Sequence, residues 1–514
     1  MRRIVVTAAI FAAATITPAV GVDAASCDTR TNNTYKKLLE CVTLEGVREH
    51  QAAFQAIADA NGDTRVSGSP GYDQSVDYAV EVFEAAGYDV TIQPFDFQTF
   101  ITLSPSVVEQ VSPPPTGPIA NNIFSYSGSG DVTAAVTALP AADPTPGCEA
   151  ADFAGFTPGN IALISRGACT FAIKATNAYN AGASAVIIYN NQPGVINGTL
   201  GNDFTLDIGV TSVTQTVGQQ LAATPGLILR VKTDTFRGIA TTYNVIAETP
   251  GGDPDNVVMV GAHLDSVNAG PGIQDNGSGS AAILEVAQQM AKVNPVNKVR
   301  FALWGAEESG LVGSIYYVNN LSQEDQDRIA LYLNFDMIGS PNHVFFVYDG
   351  DDSDGVGAGP GPDGSAHIEE TFEAFYTARG ESWKGTDFSG RSDYGPFIAV
   401  GIPSGGLFTG AEGIKTAEEA AIWGGTAGEQ YDPCYHLACD TYDNVNLHAL
   451  DVNSDAVAYA TLTYAMSTEA VNGVPGKIVP GSPSIGSSPG AIGYPGGADG
   501  GDHDHDEESH LDRE

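Results

Sequence analysis

Basic residues are scarce in this chain of 514 residues. Lysine and arginine together number 22, against 62 aspartates and glutamates, and the formal net charge is −40 at pH 7. A surface with this charge repels nucleic acids and anionic membranes, so we expect neither as a partner. The same charge opposes self-association, and we expect a monomer.

Long apolar runs are also missing. The N-terminal run "IVVTAAIFAAATI" follows Arg2 and Arg3, and it is too short to span a bilayer. Because small residues follow it in "VGVDAAS", residues 1–24 are predicted to be a secretory signal peptide. We therefore expect a secreted, extracellular protein without a transmembrane segment.

Cysteine is rare, and its six positions form three local pairs along the chain. An even number of cysteines in an exported protein favours disulfides. The spacing favours Cys27–Cys41, Cys148–Cys169 and Cys434–Cys439, although it leaves other pairings open. A cysteine-ligated zinc site is the alternative, but the chain contains no CxxC pair.

The chain is too long for one hydrophobic core, so more than one domain is expected. Residues 27–115 and 239–470 share an α/β pattern, whereas residues 116–238 are β-rich and begin near the "SPPPTGP" break. One main domain interrupted by a smaller insert explains this order. Residues 471–514 are predicted to form a disordered acidic tail, with loose metal binding by His503, His505 and His510 as the alternative.

Potential metal ligands recur where strand-like runs end. The runs "VVMVGAHLDSV", "VRFALWGAEE" and "LYLNFDMIGS" all finish in histidine or acidic residues, and the segments "GIQDNGSGSAA" and "DPCYHLACD" add two more. Sites in open α/β sheets form at the carboxyl ends of strands, and zinc prefers imidazole and carboxylate ligands. The candidates are His263, Asp265, Asp275, Glu307, Glu308, Asp336 and His436.

Quoted together, "GAHLDSV", "GIQDNGSGSAA", "WGAEESGLVGS", "NFDMIGSPN", "SGRSDYGPF" and "YHLACDTYDN" resemble the co-catalytic di-zinc aminopeptidases of clan MH. The resemblance is strongest to secreted leucine-aminopeptidase-like peptidases and covers about residues 34–100 and 241–466. The insert, mainly through "GNIALISRGACTFAIKATNAYNAGASAVIIYNN", resembles a protease-associated domain. The resemblance implies an α/β fold, with a mixed, largely parallel sheet between helices and an inserted β-rich protease-associated domain.

The resemblance also implies two zinc ions per chain and a role for each ligand. Asp275 would bridge the two ions. His263 and Asp336 would complete one metal site, and Glu308 and His436 would complete the other. Two metal ions held in this way activate a water and polarise a carbonyl together.

Four further roles follow from the same resemblance. Glu307 would be the general base that takes a proton from the attacking water and passes it to the leaving amine. Asp265 would accept the imidazole N–H of His263. Tyr435 would hydrogen-bond the oxyanion of the tetrahedral intermediate, and Arg391 would lie near the substrate.

Two structural features complete the expectations. A Cys434–Cys439 disulfide would clamp the loop that carries His436. Asp451 and Asp455 resemble carboxylates that bind a structural calcium in some secreted relatives, but calcium requires more oxygen ligands than two side chains supply.

The acidic site favours a substrate with a positively charged end, namely a peptide with a free N-terminus. A carboxypeptidase would need a basic cluster for the terminal carboxylate, and only Arg391 and Lys384 lie near these motifs. We therefore expect removal of N-terminal residues, which are apolar by family resemblance. The alternatives are a carboxypeptidase of the same fold and a metal-free binding protein.

Overall fold

The computed structural model describes residues 27–481, apart from positions 28, 141, 195, 197, 356 and 358. The predicted signal peptide lies outside the described residues. The predicted tail is described only to residue 481, so its three histidines also lie outside them.

The described residues contain both long and very short strands. The strands are β1 Asp89–Ser112, β2 Gly117–Ile119, β3 Asn122–Ile123, β4 Gly130–Ala138, β5 Ile161–Ser165, β6 Ala185–Tyr189, β7 Val210–Val213, β8 Ile228–Glu248, β9 Asp253–His263, β10 Asn297–Trp304, β11 Ile329–Phe335, β12 Phe346–Tyr348, β13 Lys384–Thr386 and β14 Ser404–Phe408.

The helices alternate with the strands through most of the chain. They are α1 Tyr35–Leu39, α2 Leu44–Ala60, α3 Pro70–Ala86, α4 Phe171–Asn180, α5 Gln215–Ala222, α6 Gly277–Met290, α7 Val312–Asn319, α8 Gln323–Asp327, α9 Ser365–Arg379, α10 Gly395–Ala399, α11 Ala417–Trp423, α12 Leu447–Met466 and α13 Glu469–Asn472, with a 3-10 turn at Ala150–Phe153. Within the described part of the chain, none of these helices is both long and apolar enough to cross a bilayer.

The main sheet has the strand order β13-β12-β14-β11-β9-β10-β8-β1. Four neighbouring pairs are parallel: β13 with β12, β14 with β11, β11 with β9, and β9 with β10. The other three pairs are antiparallel. The predicted mixed, largely parallel α/β sheet is therefore confirmed.

Helices cover both faces of this sheet. Parallel strands buried on both faces consist of nearly continuous apolar residues, and all seven residues of β11 are buried. Helices α2, α3, α6 and α12 contribute to the core on one face. On the other face, the ring of Phe397 stacks on that of Tyr332 with centroids 4.1 Å apart, and Tyr332 accepts a hydrogen bond from Trp304.

A long antiparallel ribbon joins the main domain to the insert. Strands β1 and β8 pair from Asp89 opposite Glu248 to Ser112 opposite Ile228, with register shifts between Thr102 and Val107 and again before Ser112. At its far end β8 also pairs with β4, which begins the order β4-β5-β6-β7 of parallel strands. The insert has its own two apolar clusters. Because the ribbon belongs to both parts, the boundaries at residues 116 and 238 stay a prediction.

The three disulfides connect the predicted partners: Cys27 with Cys41, Cys148 with Cys169, and Cys434 with Cys439. These pairings are confirmed, and the described residues contain no free cysteine.

The start of α6 packs directly against the end of β11. Asn276, the N-cap of α6, donates to the carbonyl of Phe335 and accepts hydrogen bonds from the amides of Gly279 and Met337. A Cβ atom on Gly279 would lie 2.1 Å from the carbonyl oxygen of Phe335. Only glycine therefore allows this approach, which places the residue before Asn276 beside the end of β11.

We predict that Gly279→Ala destabilises the protein. The added methyl group must push α6 away from β11, and overpacking of this kind costs about 1–3 kcal/mol. Chemical denaturation would measure the loss. The matched control is Gly130→Ala, since a Cβ there meets no atom within 4 Å. Equal stability of the two variants would contradict the proposed close approach.

Candidate metal centre

Three neighbouring parallel strands deliver acidic and imidazole side chains to one edge of the sheet. His263 is the last residue of β9, and Asp336 directly follows β11. Glu307 and Glu308 follow the end of β10 at Trp304. Because β10, β9 and β11 are adjacent and parallel, their carboxyl ends meet at the same place.

Asp275 lies between two histidines at this edge. Its Oδ1 is 3.3 Å from Nε2 of His263, and its Oδ2 is 3.2 Å from Nε2 of His436. Asp275 comes from the turn before α6, and His436 from the loop closed by the Cys434–Cys439 disulfide. One carboxylate thus faces two imidazoles that are far apart in the sequence.

A second carboxylate accompanies each histidine. Nε2 of His263 is 3.3 Å from Oδ1 of Asp336, and Nε2 of His436 is 3.0 Å from Oε2 of Glu308. In the sets His263–Asp275–Asp336 and Asp275–Glu308–His436, the potential ligand atoms all lie within 4.8 Å of one another. The structure therefore brings the five predicted ligands together as two sets that share Asp275.

Glu307 stands beside both sets. Its Oε2 is 3.9 Å from Nε2 of His263, and its side chain is 12 % exposed. A Glu307 oxygen also lies within 4.8 Å of potential ligand atoms of His263 and Glu308. The backbone amide of Glu307 donates to Oδ1 of Asp265, which fixes the start of this turn.

Asp265 contacts His263 mainly through its backbone. Nδ1 of His263 is 3.1 Å from the carbonyl oxygen of Asp265 and 3.6 Å from its carboxylate Oδ1. Because a carbonyl oxygen can only accept, Nδ1 must donate this hydrogen bond. The lone pair of a neutral imidazole then lies on Nε2, the atom that faces Asp275 and Asp336.

The buried charges shift one another's pKa values. Burial lowers the pKa of His263, but nearby carboxylates, Glu307 first, hold it well above its usual value. Burial disfavours the charged form of His436, whereas Glu308 and Asp275 favour it. The pKa of His436 is therefore also well above its usual value. Burial, with repulsion from neighbouring carboxylates, raises the pKa of both Glu307 and Glu308.

The residues fit metal ions. Among the described residues, neither Oε1 of Glu308 nor Oδ1 of Asp336 accepts a hydrogen bond, although both atoms are buried. A buried carboxylate oxygen without a partner is unfavourable unless a cation binds it. Imidazole nitrogens and carboxylate oxygens are also the ligands that zinc prefers.

Backbone conformation is unusual at the same place. Ala306, Met337 and His436 have φ values of 54°, 51° and 56°, in the left-handed region that residues other than glycine rarely adopt. Each of these residues is a candidate ligand or lies within two residues of one. Such conformations concentrate at functional sites, where the surrounding structure holds them.

Sequence reasoning missed the residues that hold the ligands in place. Asp440 accepts hydrogen bonds from the amides of Gln274 and Asp275, at 2.8 and 3.0 Å. Ser392 donates to Oδ2 of Asp336 at 2.7 Å. Both lie in segments that the motifs include, but nothing in the sequence indicates these partners.

Arg65 is a further missed residue. It is fully buried, and its guanidinium donates to the backbone carbonyls of Leu264, Pro271 and Gly272. Burial lowers the pKa of Arg65 to about 10, although Asp265 opposes the shift. Arg65 thus binds the segment that leads from His263 to Asp275.

The structure places Tyr435 and Arg391 at the margin of the centre. The ring of Tyr435 stacks on that of His436, with centroids 3.8 Å apart. The Arg391 guanidinium is 3.2 Å from Oε1 of Glu412 and is mostly exposed. Neither side chain forms a hydrogen bond with a candidate ligand among the described residues.

Asp451 and Asp455 lie on α12 beside Arg379. A guanidinium nitrogen of Arg379 is 2.7 Å from Asp455, and another is 4.0 Å from Asp451. The two carboxylates that resemble calcium ligands of some relatives thus lie beside an arginine of the same chain.

Comparison with known proteins agrees with this geometry. Residues 244–461 match the model of peptidase family M28, and residues 130–221 match the PA domain. An aminopeptidase of Pseudomonas aeruginosa is 48% identical over 85% of this chain and 83% of its own length. A probable leucine aminopeptidase 2 of Aspergillus fumigatus is 42% identical over 83% of this chain and 84% of its own length.

A solved structure also matches. A zinc aminopeptidase from Bacillus subtilis has a TM-score of 0.61 and 25% sequence identity, and the match covers 81% of this chain and 94% of that one. The predicted family resemblance and the protease-associated insert are confirmed. The chain belongs to peptidase family M28, with an inserted PA domain, and is accordingly a hydrolase.

Proposed function

We propose that this protein is a zinc-dependent aminopeptidase that removes single, apolar residues from the N-termini of peptides. The observation that carries the proposal is the position of Asp275 between His263 and His436, with a second carboxylate beside each histidine. His263, Asp275 and Asp336 would hold one zinc ion, and Asp275, Glu308 and His436 the other. The zinc aminopeptidase from Bacillus subtilis shares this fold and supports the choice of metal.

Two zinc ions, when bound, supply the Lewis acidity that activates a water and polarises the peptide carbonyl. Glu307 is the group in this chain that moves the proton. Its carboxylate lies beside both ligand sets and belongs to neither of the two that share Asp275. We assign to Glu307 the removal of a proton from the attacking water and its delivery to the leaving amine.

Tyr435 and Arg391 are assigned to the substrate side. Tyr435 stacks on His436 and is therefore held next to one ligand set, where its hydroxyl would hydrogen-bond the developing oxyanion. Burial raises the pKa of Tyr435 well above its usual value, so the hydroxyl keeps its proton and remains a donor. Arg391, paired with Glu412, would contact the substrate at the rim of the site.

Charge favours cleavage at the amino end. The ammonium group of a peptide N-terminus is attracted to a site crowded with carboxylates, and it forms strong hydrogen bonds with them. A carboxypeptidase needs a free basic group for the terminal carboxylate. Arg391 and Lys384, the two basic residues near the motifs, are already paired with Glu412 and Glu419, Lys384 at 2.8 Å.

Two other functions differ in what they require. A carboxypeptidase of the same fold would use the same zinc ligands but would have to free Arg391 or Lys384 from its partner. A metal-free binding relative would not need buried carboxylate oxygens that accept no hydrogen bond, such as Oε1 of Glu308 and Oδ1 of Asp336 among the described residues. The apolar preference rests on the leucine aminopeptidase named among the relatives.

We further propose that the enzyme acts outside the cell as a monomer. The three disulfides favour an oxidising compartment, in agreement with the predicted signal peptide. The net charge of −40 opposes self-association and binding to nucleic acid or anionic membranes.

The first expected result concerns metal content. Elemental analysis of the purified protein should find about two zinc ions per chain, because two ligand sets share one carboxylate. A chelator should abolish peptidase activity, and added zinc should restore it. Full activity in a sample verified to be free of metal would contradict the proposed chemistry.

The adjacent glutamates should give different phenotypes. Glu307→Gln keeps the shape of the side chain but cannot accept the proton, so we expect kcat to fall about 10²-fold or more with zinc content unchanged. Glu308→Ala removes a ligand and should lower the zinc content. Steady-state kinetics and elemental analysis of both variants would test the assignment, and an exchange of the two phenotypes would reverse it.

Blocked peptides should distinguish the two ends of the substrate. Acetylation of the N-terminus removes the ammonium charge and should abolish cleavage, whereas amidation of the C-terminus should leave the rate nearly unchanged. Mass spectrometry of the products would identify the bond that is cut. Cleavage of acetylated peptides together with resistance of C-terminal amides would establish a carboxypeptidase instead.

A further inference from the structure

The side-chain amide of Asn444 connects the two segments that carry Asp275 and His436. Nδ2 of Asn444 donates to both carboxylate oxygens of Asp432, at 3.0 and 3.2 Å, and to Oδ1 of Asp440, at 3.3 Å. Asp432 lies just before the disulfide loop that contains His436, and Asp440 directly follows the second cysteine of that loop. Asn444 therefore bridges two acidic residues on either side of the loop.

Asp440 is attached to the segment of Asp275 by three hydrogen bonds. Its carboxylate accepts the backbone amides of Gln274 and Asp275, and its backbone carbonyl accepts the amide of Ile273 at 3.2 Å. The side chain of Asp440 is buried. A displacement of Asp440 would therefore displace the residue that the two ligand sets share.

Asp432 holds the start of the loop that carries His436. Its Oδ1 accepts a hydrogen bond from the amide of Cys434 at 2.8 Å, and its backbone carbonyl accepts one from the amide of Tyr435 at 3.2 Å. No helix or strand lies within residues 424–446, all of which the structure describes. The position of His436 thus depends on side-chain contacts such as these rather than on regular secondary structure.

The two bridged carboxylates repel each other. Asp432 and Asp440 are 0 % and 2 % exposed, so water provides little screening between them. Burial and repulsion from Asp432 raise the pKa of Asp440 well above its usual value. Burial raises the pKa of Asp432 to about 6, and the hydrogen bond from Asn444 opposes this rise. Among the described residues, Asn444 is the one side chain that donates to both carboxylates.

We propose that Asn444 is a positioning residue of the metal centre, which holds the loop of His436 against the segment of Asp275 by bridging Asp432 and Asp440. The inference rests on the proposed function, since it concerns two of the proposed zinc ligands. Groups that orient metal ligands from outside the ligand set tune metal affinity. Without the amide, repulsion between the carboxylates would widen the gap in which Oδ2 of Asp275 and Nε2 of His436 now lie 3.2 Å apart.

The test measures zinc binding by the full-length protein and its variants. Each protein is dialysed against a series of buffered free zinc concentrations, and bound zinc is determined by elemental analysis. Asn444→Asp keeps the shape of the side chain, removes both donors and adds a negative charge. We expect the affinity for one of two zinc ions to fall at least about tenfold. Asn444→Ser retains one donor and should give a smaller loss.

An exchange of the two groups separates positioning from a local defect at residue 444. In the double variant Asp432→Asn with Asn444→Asp, the amide at position 432 can donate to the carboxylate at position 444. The oxygen of the new amide can still accept the hydrogen bond from Cys434. We expect the double variant to bind more zinc than Asn444→Asp alone, because one repulsive contact is replaced by a hydrogen bond. A defect confined to residue 444 would not be relieved by a change at residue 432.

The matched control is Asn446→Ala, which removes the N-cap of α12, where Oδ1 of Asn446 accepts the amide of Ala449. This variant should melt at a lower temperature than the wild type but bind zinc with unchanged affinity. An equal loss of zinc in Asn446→Ala would trace the effect to stability and overturn the proposal. So would a double variant that binds no more zinc than Asn444→Asp.

The outcome also separates this inference from the proposed function. A wild type that binds no zinc would overturn both. A wild type with two zinc ions, together with Asn444→Asp of equal affinity, would overturn only the positioning role of Asn444. Each readout is independent of peptidase activity.

Discussion

Repulsion between carboxylates is the constraint on which the proposed active site depends. Asp275, Glu307, Glu308 and Asp336 meet at one sheet edge, where burial weakens the screening that water provides. His263 and His436 face these groups, and the negative charge of the carboxylates raises the pKa of both histidines. Two imidazoles cannot satisfy every carboxylate oxygen, so the geometry calls for additional positive charge, which metal ions would supply.

The fold must hold these groups together against that repulsion. The ends of three adjacent parallel strands position His263, Asp336 and the pair Glu307 and Glu308. The close approach of Gly279 to β11 positions Asp275. Asp440 then accepts hydrogen bonds from the backbone amides of Gln274 and Asp275, and Arg65 donates to the preceding loop. The positioning therefore comes from packing and backbone hydrogen bonds, which do not depend on the presence of a metal.

Some of this arrangement could be predicted from the sequence, and some could not. Apolar runs that end in His263 and Asp336 indicate strand ends, because local residue type determines both burial and the ligand. The three cysteine pairs were predictable because the partners lie close together in the sequence. The partners of Asp440 and Ser392 were not, since each hydrogen bond joins segments at least 56 residues apart in the chain. The continuous β1–β8 ribbon was likewise hidden, because its pairing spans the whole insert.

The chain neutralises its buried acids in more than one way, and its composition explains why. Asp455 receives an arginine, and Asp440 receives backbone amides. With 22 basic residues for 62 acidic ones, side-chain cations cannot pair one to one with every carboxylate of the chain. Where histidines accompany the acids, as at Asp275, the ligand set suits zinc. The kind of cation at each place thus follows from the residues that accompany the carboxylates.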